Sequence, residues 1–415
     1  MNVQNKKSET DVSNIELMSP DADKRYINEY MTELIEHQEM ASGALSVRQY
    51  GNVVYTKTWG SCNVNSIFRM MSMTKCITAV GILKLMEQGK LSIDDEIDRY
   101  IPGFADMQVA ADDRYVIDMK NPKRILLQVP LFKLNKVKTV SANRKITIRD
   151  LLSHSSGLEQ GAVGLIAMLK MKAEDKTLPE RVDRYTHYPL DFQPGEGTSY
   201  SPLAGFDILG RITEIVSGMR LEDFLQTEIC KPLDMENTTF FLNEEQKKRL
   251  VPVYVRKKNM LVNVTGTDKD MPGVLKQKKL LFEEGSGGIF STLEDYDNFA
   301  SMLAAEGKHK EIQFLKPETV LLMQTEGARK HLEPEPGMTW GLGVKIRQNP
   351  KAAGSHATEG TYGWSGAFGT HFFISPRDGI EAVFLTNRAD LGGSGSYIST
   401  EVEKLVFGIW GEKSK

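Results

Sequence analysis

Ser72 and Lys75 are the two residues whose types and spacing point most directly to chemistry. They stand three positions apart in Ser72-Met73-Thr74-Lys75, at the start of a strongly apolar segment. On a helix, residues three apart share a face, with Cβ atoms about 5–6 Å apart. A serine hydroxyl becomes a good nucleophile when a neighbouring base removes its proton. A lysine amine can be that base when burial disfavours its ammonium form.

The position of Ser72 at the start of a helix adds a second asset. The first N–H groups of a helix have no partner inside it, so the Ser72 N–H can face a developing oxyanion. The pattern therefore predicts Ser72 as an acylated nucleophile and Lys75 as its proton acceptor. The alternative is a helix cap at Ser72 and a surface lysine at 75. That alternative is weakened because the following segment is apolar and Lys75 is its only early charge.

Other serine-hydrolase arrangements receive less support. No Gly-x-Ser-x-Gly occurs in the sequence, which disfavours the nucleophile elbow of α/β-hydrolases. His154 and His371 have serine or acidic neighbours in the sequence, so a Ser-His-Asp triad stays open. Nothing in the spacing favours that triad.

Two further stretches contain candidate site residues. Tyr200 follows the turn Pro194-Gly195 and precedes a helix, and a phenol near Lys75 can pass a proton to a leaving group. Residues 362–370 read Tyr-Gly-Trp-Ser-Gly-Ala-Phe-Gly-Thr and lead into a strand. Small residues there let a substrate lie along the strand edge near a backbone N–H. The alternatives are a packing tyrosine and a glycine-rich turn with a core tryptophan.

Strands are predicted towards both ends of the chain, with helices between them. The runs 43–49 and 52–59 flank a turn and predict a hairpin, and strands follow at 371–375 and 380–386. The helix from Ser72 is apolar nearly all round and is predicted to be buried. Apolar spacing and end signals predict helices at 72–88, 203–217, 221–229, 293–305 and 398–409, and one that begins at Asp23.

This order of elements predicts a discontinuous α/β domain built from both ends of the chain. Residues 23–100 and 285–415 form that domain in our interpretation, and residues 101–284 form an inserted, mainly helical domain. Residues 1–22 are polar and aperiodic and are interpreted as a mobile tail.

The composition disfavours several classes of protein, among them nucleic-acid-binding, disulfide-rich, metal-binding and membrane-spanning proteins. The 415 residues carry a formal net charge of -3, which gives no indication of a nucleic-acid partner. The three cysteines do not suggest a disulfide framework, and no metal-binding motif or cofactor is predicted. The start of the sequence lacks an apolar signal region, and no long apolar run predicts a membrane span. A cytoplasmic enzyme is the expectation.

One stretch stands out by charge. Residues 120–149 are rich in Lys and Arg, contain no Asp or Glu, and include several apolar residues. A lid or membrane-surface patch is one interpretation. We favour a solvated insertion whose apolar residues pack on the helical domain, because charge runs are usually solvated.

Six separated motifs, in matching order, resemble the serine β-lactamase-related family. That family includes class C β-lactamases, DD-peptidases and family VIII esterases. The resemblance extends over roughly residues 25–410. It implies a β-lactamase/transpeptidase-like fold, an antiparallel sheet flanked by helices. The matching stretches are residues 68–103, 151–158, 192–210, 231–238, 285–303 and 363–376.

The resemblance also implies roles for individual residues. Ser72 would be acylated, with Lys75 and Tyr200 as the pair that moves its protons. The backbone N–H groups of Ser72 and Ala367 would form the oxyanion hole. The substrate would be a small-molecule ester or amide. The expected substrate-binding residues are Tyr362, Trp364, Ser365 and Gly366.

Two departures from the family pattern affect the expected substrate. Trp364 occupies the position of the lysine of Lys-Thr-Gly, which helps hold the substrate carboxylate in β-lactamases. Pro202 replaces the asparagine of Tyr-x-Asn and offers no side-chain donor. Both changes favour a carboxylesterase acting on small neutral esters. The alternatives are a β-lactamase or DD-peptidase-like amide hydrolase, an acyltransferase, and a catalytically silent binding or scaffold protein.

Overall fold

The computed structural model describes residues 20–111, 136–161, 163–164, 166–167, 175–267, 270 and 282–411. Its α-helices with described bounds, named α1 to α11 in chain order, are Pro20–Glu36, Thr74–Glu87, Ile148–Leu152, Leu178–Tyr185, Ala204–Ser217, Leu221–Leu225, Glu244–Lys248, Leu293–Ala304, Pro317–Met323, Pro350–Ala353 and Tyr397–Trp410. Its strands, named β1 to β15, are Ser42–Gln49, Asn52–Gly60, Phe68–Arg69, Gln108–Ala110, Thr139–Ser141, Tyr254–Lys257, Met260–Asn263, Phe290–Ser291, Lys308–His309, Ile312–Gln313, Met338–Trp340, Lys345–Arg347, Tyr362–Ser365, His371–Ser375 and Ile380–Leu385.

Seven strands form one antiparallel sheet in the order β11-β12-β13-β14-β15-β1-β2. The hairpin of the first two strands therefore joins strands from the last eighty residues through the pairing of β1 with β15, and the sheet draws on both ends of the chain as the sequence predicts. The hairpin β1–β2 turns at Tyr50 and Gly51, whose φ angles of 48° and 77° are both left-handed. Such turns match the twist of paired strands. The antiparallel sheet flanked by helices that the resemblance implies is confirmed.

The two faces of the sheet bury different cores. Successive side chains of a strand point to opposite faces. On β15, Ala382 and Phe384 join one cluster with residues of α1 and α11, whereas Val383 and Leu385 join the larger cluster with α2, α5 and α8. Helix α2, which begins just after Ser72, belongs to this larger cluster.

Helix α2 crosses the centre of the larger core and packs against α5. From Thr74 to Leu83 every side chain of α2 is buried. A helix with no polar face has to be surrounded by protein, so the predicted buried helix is confirmed. Gly89 follows it with a φ of 69°, the left-handed conformation that glycine commonly adopts just after the end of a helix.

Some local expectations differ from the structure. The helix expected at 221–229 divides into α6 and a π-helical turn, Gln226–Cys230. Segment 101–284 also contains the strand pairs β4–β5 and β6–β7. The domain bounds given above stay a prediction.

Residues 120–135 of the basic stretch lie outside the described residues. The described part uses its charges in ion pairs: Arg144 with Asp150 at 2.7 Å and Lys145 with Asp98 at 2.6 Å. Among the helices that the structure describes, none is both long enough and apolar enough to cross a membrane.

Leu83 tests how strongly the protein depends on α2. Its side chain is 0% exposed, so Leu83→Ala should lower the free energy of unfolding by about 2–5 kcal/mol. Leu321, which is 60% exposed on α9, provides the matched control Leu321→Ala. Urea denaturation followed by circular dichroism measures both. Equal losses in the two variants would contradict the burial of α2.

Candidate active site

Ser72 lies in a 3₁₀ turn, Met71–Met73, that leads directly into α2. The residue before it, Met71, has a φ of 50°, a left-handed conformation that costs energy for a residue with a side chain. The surroundings fix this turn, because the Met70 N–H donates to the Ile289 carbonyl at 3.0 Å. Ser72 is thereby presented at a sharp bend with its side chain half-buried.

Lys75 lies one helical turn further along α2 and is fully buried. Its side-chain nitrogen donates to the main-chain carbonyls of Ser286 at 2.6 Å and Pro202 at 2.7 Å. The distance from Lys75 Nζ to Ser72 Oγ is 3.4 Å. The expected proximity of the two side chains is therefore present, and all three acceptors are uncharged oxygens.

Tyr200 is the second side chain that contacts Ser72 Oγ. Its hydroxyl donates to Ser72 Oγ at 2.6 Å, and Lys75 Nζ lies 5.2 Å from the centre of its ring. The serine oxygen thus contacts both a phenol and an amine. This arrangement can remove a proton from Ser72 and return it to another oxygen nearby.

His154 positions Tyr200 and does not contact Ser72 in the described hydrogen bonds. Its Nδ1 accepts the Ser201 N–H at 3.1 Å, and its ring lies 5.0 Å from that of Tyr200. Burial, together with the nearby Lys75 and Lys345 ammonium groups, holds the pKa of His154 well below its ordinary value. A neutral imidazole of this kind is an acceptor for the Ser201 N–H.

A cavity of about 350 Å³ opens above Ser72. Three aromatic rings, those of Tyr200, Trp340 and Trp364, form much of its wall. Its full lining is Ser72, Thr198, Ser199, Tyr200, Pro334, Glu335, Trp340, Lys345, Trp364, Ser365, Ala367, Gly393 and Ser394.

Most of the site residues expected from the sequence meet at this cavity. Tyr362 lies elsewhere: it is fully buried, and its hydroxyl accepts from Gln324 Nε2 at 3.0 Å. It shares a face of β13 with Trp364 but sits two residues along the strand, roughly 7 Å further from the cavity. Tyr362 therefore supports the core beneath the site and does not line it.

Gly366 brings the end of β13 against the turn that carries Ser72. A Cβ atom at this position would lie 2.3 Å from the Met70 carbonyl oxygen and 2.2 Å from Thr370 Oγ1. Only glycine fits there, so the approach of Ala367 to the cavity depends on it. Gly366 itself does not line the cavity.

Ser365 belongs to a second chain of polar side chains. Its Oγ lies 2.8 Å from Nδ1 of His371, the residue paired with it on β14, and His371 Nε2 lies 3.3 Å from Glu403. Burial opposes ionisation of Glu403, but the Arg347 guanidinium and His371 outweigh it and lower the pKa of Glu403. In the neutral ring, an Nε2–H donates to the ionised Glu403, and Nδ1 then accepts the Ser365 hydroxyl proton.

The serine–histidine–carboxylate chain therefore exists, but it is centred on Ser365 and not on Ser72. The sequence indicated His371 as a member of such a chain without identifying its partners. The proximity of Ser365 and His371 follows from the β13–β14 pairing, whereas Glu403 comes from α11 and carries no local signal.

Lys345 and Glu335 were missed by the sequence analysis. Lys345 lies on β12, opposite Gly363, and its Nζ lies 5.7 Å and 5.8 Å from the ring centres of Trp340 and Trp364. Glu335 Oε2 lies 2.7 Å from that Nζ. Strand β12 has only three residues, too few for a recognisable alternation.

A buried group of charges supports the floor of the site. Asp207 accepts the Ser286 N–H at 3.2 Å and the Tyr185 hydroxyl at 3.0 Å, which orients the Ser286 carbonyl that receives Lys75. Burial raises the pKa of Asp207, and the Arg181 guanidinium opposes this rise. No group of three or more His, Cys, Asp or Glu side chains able to hold a metal ion occurs in the described parts of the chain.

Glu159 carries a buried carboxyl group behind Tyr200. One oxygen accepts the N–H groups of Leu203 and Ala204 at 3.2 Å and 2.8 Å, at the start of α5. Burial raises the pKa of Glu159 to about 7, and Asp207 adds to the rise, although the Leu203 and Ala204 N–H groups oppose it.

Gly366→Ala tests the close approach at the end of β13. The added methyl group should push Ala367 away from Ser72 and slow labelling of Ser72 by a fluorophosphonate about 10²-fold, as loss of an oxyanion donor does. Gly408 has open space around its Cβ position, so Gly408→Ala is the matched control. An unchanged labelling rate in Gly366→Ala would contradict the role of this contact.

Glu159 also predicts a pH dependence of stability. Because its pKa rises from 4.5 to about 7 on folding, the folded form keeps a proton that the unfolded form loses in this window. Its contribution to the free energy of unfolding should fall by up to about 3 kcal/mol as pH rises from 4.5 to 7. Urea denaturation at several pH values in this range measures the free energy of unfolding. This free energy should change less with pH in Glu159→Gln than in the exposed control Glu244→Gln. Parallel pH profiles would refute the prediction.

The family model for β-lactamase matches residues 27–405. Protein Rv1367c of Mycobacterium tuberculosis is 27% identical over 335 residues, covering 77% of each chain. Esterase EstB of Burkholderia gladioli is 25% identical over 392 residues, covering 88% of this chain and 90% of the esterase. The structure titled EstCE1, a hydrolase with promiscuous acyltransferase activity, has a TM-score of 0.74 at 22% identity, covering 94% of this chain and 99% of EstCE1.

The family match includes Ser72, Lys75, Tyr200 and the segment that ends β13. It extends over nearly all of the fold described above. The resemblance stated from the motifs is therefore confirmed. The chain belongs to the β-lactamase family, whose members are serine hydrolases.

Proposed function

We propose that this protein is a carboxylesterase that acts on small neutral esters through an acyl-enzyme on Ser72. The observation that carries the proposal is the position of Ser72 Oγ, 2.6 Å from Tyr200 Oη and 3.4 Å from Lys75 Nζ beside an open cavity. A serine that merely caps a helix has no need of a buried amine and a phenol on the same oxygen.

Acylation begins when Ser72 Oγ attacks the ester carbonyl carbon. The Tyr200–Lys75 pair accepts the hydroxyl proton as that bond forms, with Lys75 entering the step as the uncharged amine. The carbonyl oxygen becomes an oxyanion, which the N–H groups of Ser72 and Ala367 stabilise. The proton then passes to the alcohol oxygen as the ester C–O bond breaks, and the alcohol leaves.

Deacylation repeats these steps with water. The Tyr200–Lys75 pair takes a proton from the water molecule, and the resulting hydroxide attacks the acyl carbon. The proton returns to Ser72 Oγ as the acid leaves. Transfer of the acyl group to an alcohol differs only in the molecule that attacks, so an acyltransferase uses the same machinery.

Four residues support a neutral ester as the substrate. Trp364 replaces the lysine of the family motif, and the charge of Lys345 is balanced by Glu335 at 2.7 Å. Pro202 offers no side-chain donor for an acyl amide, and its carbonyl already receives Lys75. The aromatic wall of the cavity fits an uncharged acyl or aryl group.

The names of two relatives agree with this proposal. EstB is described as an esterase, and EstCE1 as a hydrolase with promiscuous acyltransferase activity. These descriptions apply to those proteins, and they add to the geometric argument made from the residues of this chain.

Hydrolysis of p-nitrophenyl butyrate by wild type and by Ser72→Ala tests the proposal, with a chromogenic cephalosporin measured in parallel. Wild type should hydrolyse the ester, and Ser72→Ala should lose about 10⁴-fold or more in kcat, as expected for a removed nucleophile. Far-ultraviolet circular dichroism of both proteins controls for folding. Mass spectrometry after fluorophosphonate treatment should locate the label on Ser72.

The other outcomes distinguish the alternatives. Turnover of the cephalosporin alone would keep the serine mechanism and reject the neutral-ester substrate. A label on Ser365 would identify Ser365, with His371 and Glu403 behind it, as the nucleophile in place of Ser72. No turnover and no label would favour a silent binding or scaffold protein.

A further inference from the structure

Lys345 and Glu335 lie where the active-site cavity adjoins a second cavity. The second cavity has a volume of about 430 Å³, and Glu335, Lys345 and Ser394 line both cavities. A substrate group that extends from Ser72 along the aromatic wall reaches this junction. The charge at the junction therefore acts on the part of the substrate that does not react.

The ammonium group of Lys345 is an unusual feature of such a cavity. Its side chain is only 6% exposed, and it packs against Trp340 and Trp364. Burial lowers the pKa of Lys345, and the carboxylate of Glu335 opposes this effect. A counter-charge stabilises a buried ammonium, because the ion pair offsets part of the cost of its desolvation.

Glu335, a residue exposed to solvent, supplies the counter-charge for Lys345. Its carboxylate lies 2.7 Å from Lys345 Nζ, yet its side chain is 64% exposed. A turn fixes its backbone, because the Met338 N–H donates to the Glu335 carbonyl at 3.0 Å. The neighbouring cation Arg347 is engaged by Glu403 at 2.5 Å and by Ser355 at 3.0 Å.

We infer that Glu335 makes the site select neutral over anionic substrates. Its carboxylate occupies the position on Lys345 that a substrate carboxylate would take. This inference rests on the proposed ester hydrolysis at Ser72. A neutral ester leaves the Lys345–Glu335 pair intact. An anionic ester has to displace Glu335 or lie beside it, and like charges at short range disfavour binding. The pair thus selects against acidic substrates.

The test compares esters that are matched in size and differ in charge. One pair is 4-butyryloxybenzoate and its neutral amide, with the charge on the alcohol side. The other is mono-4-nitrophenyl terephthalate and its neutral amide, with the charge on the acyl side. The measured quantity is the ratio of kcat/KM for the anionic ester to that for the neutral ester.

Glu335→Gln should raise this ratio about tenfold for at least one pair, because Lys345 then faces an uncharged amide that a carboxylate can displace. The gain should shrink as salt is added, since Glu335 is exposed. Glu359→Gln removes the same charge at another exposed position and should leave the ratio at its wild-type value. Lys345→Met combined with Glu335→Gln should abolish the gain.

An unchanged ratio in Glu335→Gln for both pairs would overturn the inference, as would a gain that persists without Lys345. If wild type hydrolyses no ester, the proposed function fails separately. In that case, calorimetry measures the Kd of 4-carboxyphenylboronate and the Kd of its neutral amide. The ratio of these two Kd values then replaces the ratio of kcat/KM values. Tighter binding of the carboxylate to Glu335→Gln than to wild type would support the inference, and equal binding would overturn it.

Discussion

The candidate active site depends on one buried amino group, that of Lys75. Burying such a polar group costs free energy unless partners replace the hydrogen bonds that it made to water. Here the carbonyls of Pro202 and Ser286 replace them, at 2.7 Å and 2.6 Å. These carbonyls belong to segments more than eighty residues apart. The amino group therefore holds α2, the segment after Tyr200 and the loop before β8 in one arrangement.

Each carbonyl is fixed in turn by a residue that never contacts Ser72. The Ser286 N–H donates to Asp207, and the Ser201 N–H, next to Pro202, donates to His154. Both acceptors are buried and come from other elements of the chain. The reactive group is thus positioned largely by main-chain atoms, while the side chains behind them orient those atoms.

The reactive centre could be predicted from the sequence because its signals are local. The spacing of Ser72 and Lys75, the apolar character of α2 and the hairpin β1–β2 each lie within a short stretch, and the structure confirms this local geometry. The motif at 362–370 located the edge of the cavity as well. The prediction that Tyr362 binds substrate is not supported by its position. Tyr362 and Trp364 point to the same side of β13, but Tyr362 lies two residues further along the strand, away from the cavity.

The charge pattern around the cavity could not be predicted in the same way. Lys345 is the first residue of β12, and Glu335 lies shortly before β11; each of these strands has three residues. The two side chains meet because β11 and β12 pair at the edge of the sheet. Glu403 approaches His371 from the last helix of the chain. No short window of sequence records such contacts, since each joins elements that are distant along the chain.

The carbonyl of residue 202 has a consequence for how such a protein can diverge. What Lys75 requires from this position is a main-chain oxygen, and every amino acid supplies one. The side chain at 202 can therefore change, even to proline, without removing a partner of the amine. New substrate preferences can accumulate at this position while the residues of the proposed proton transfer keep their contacts.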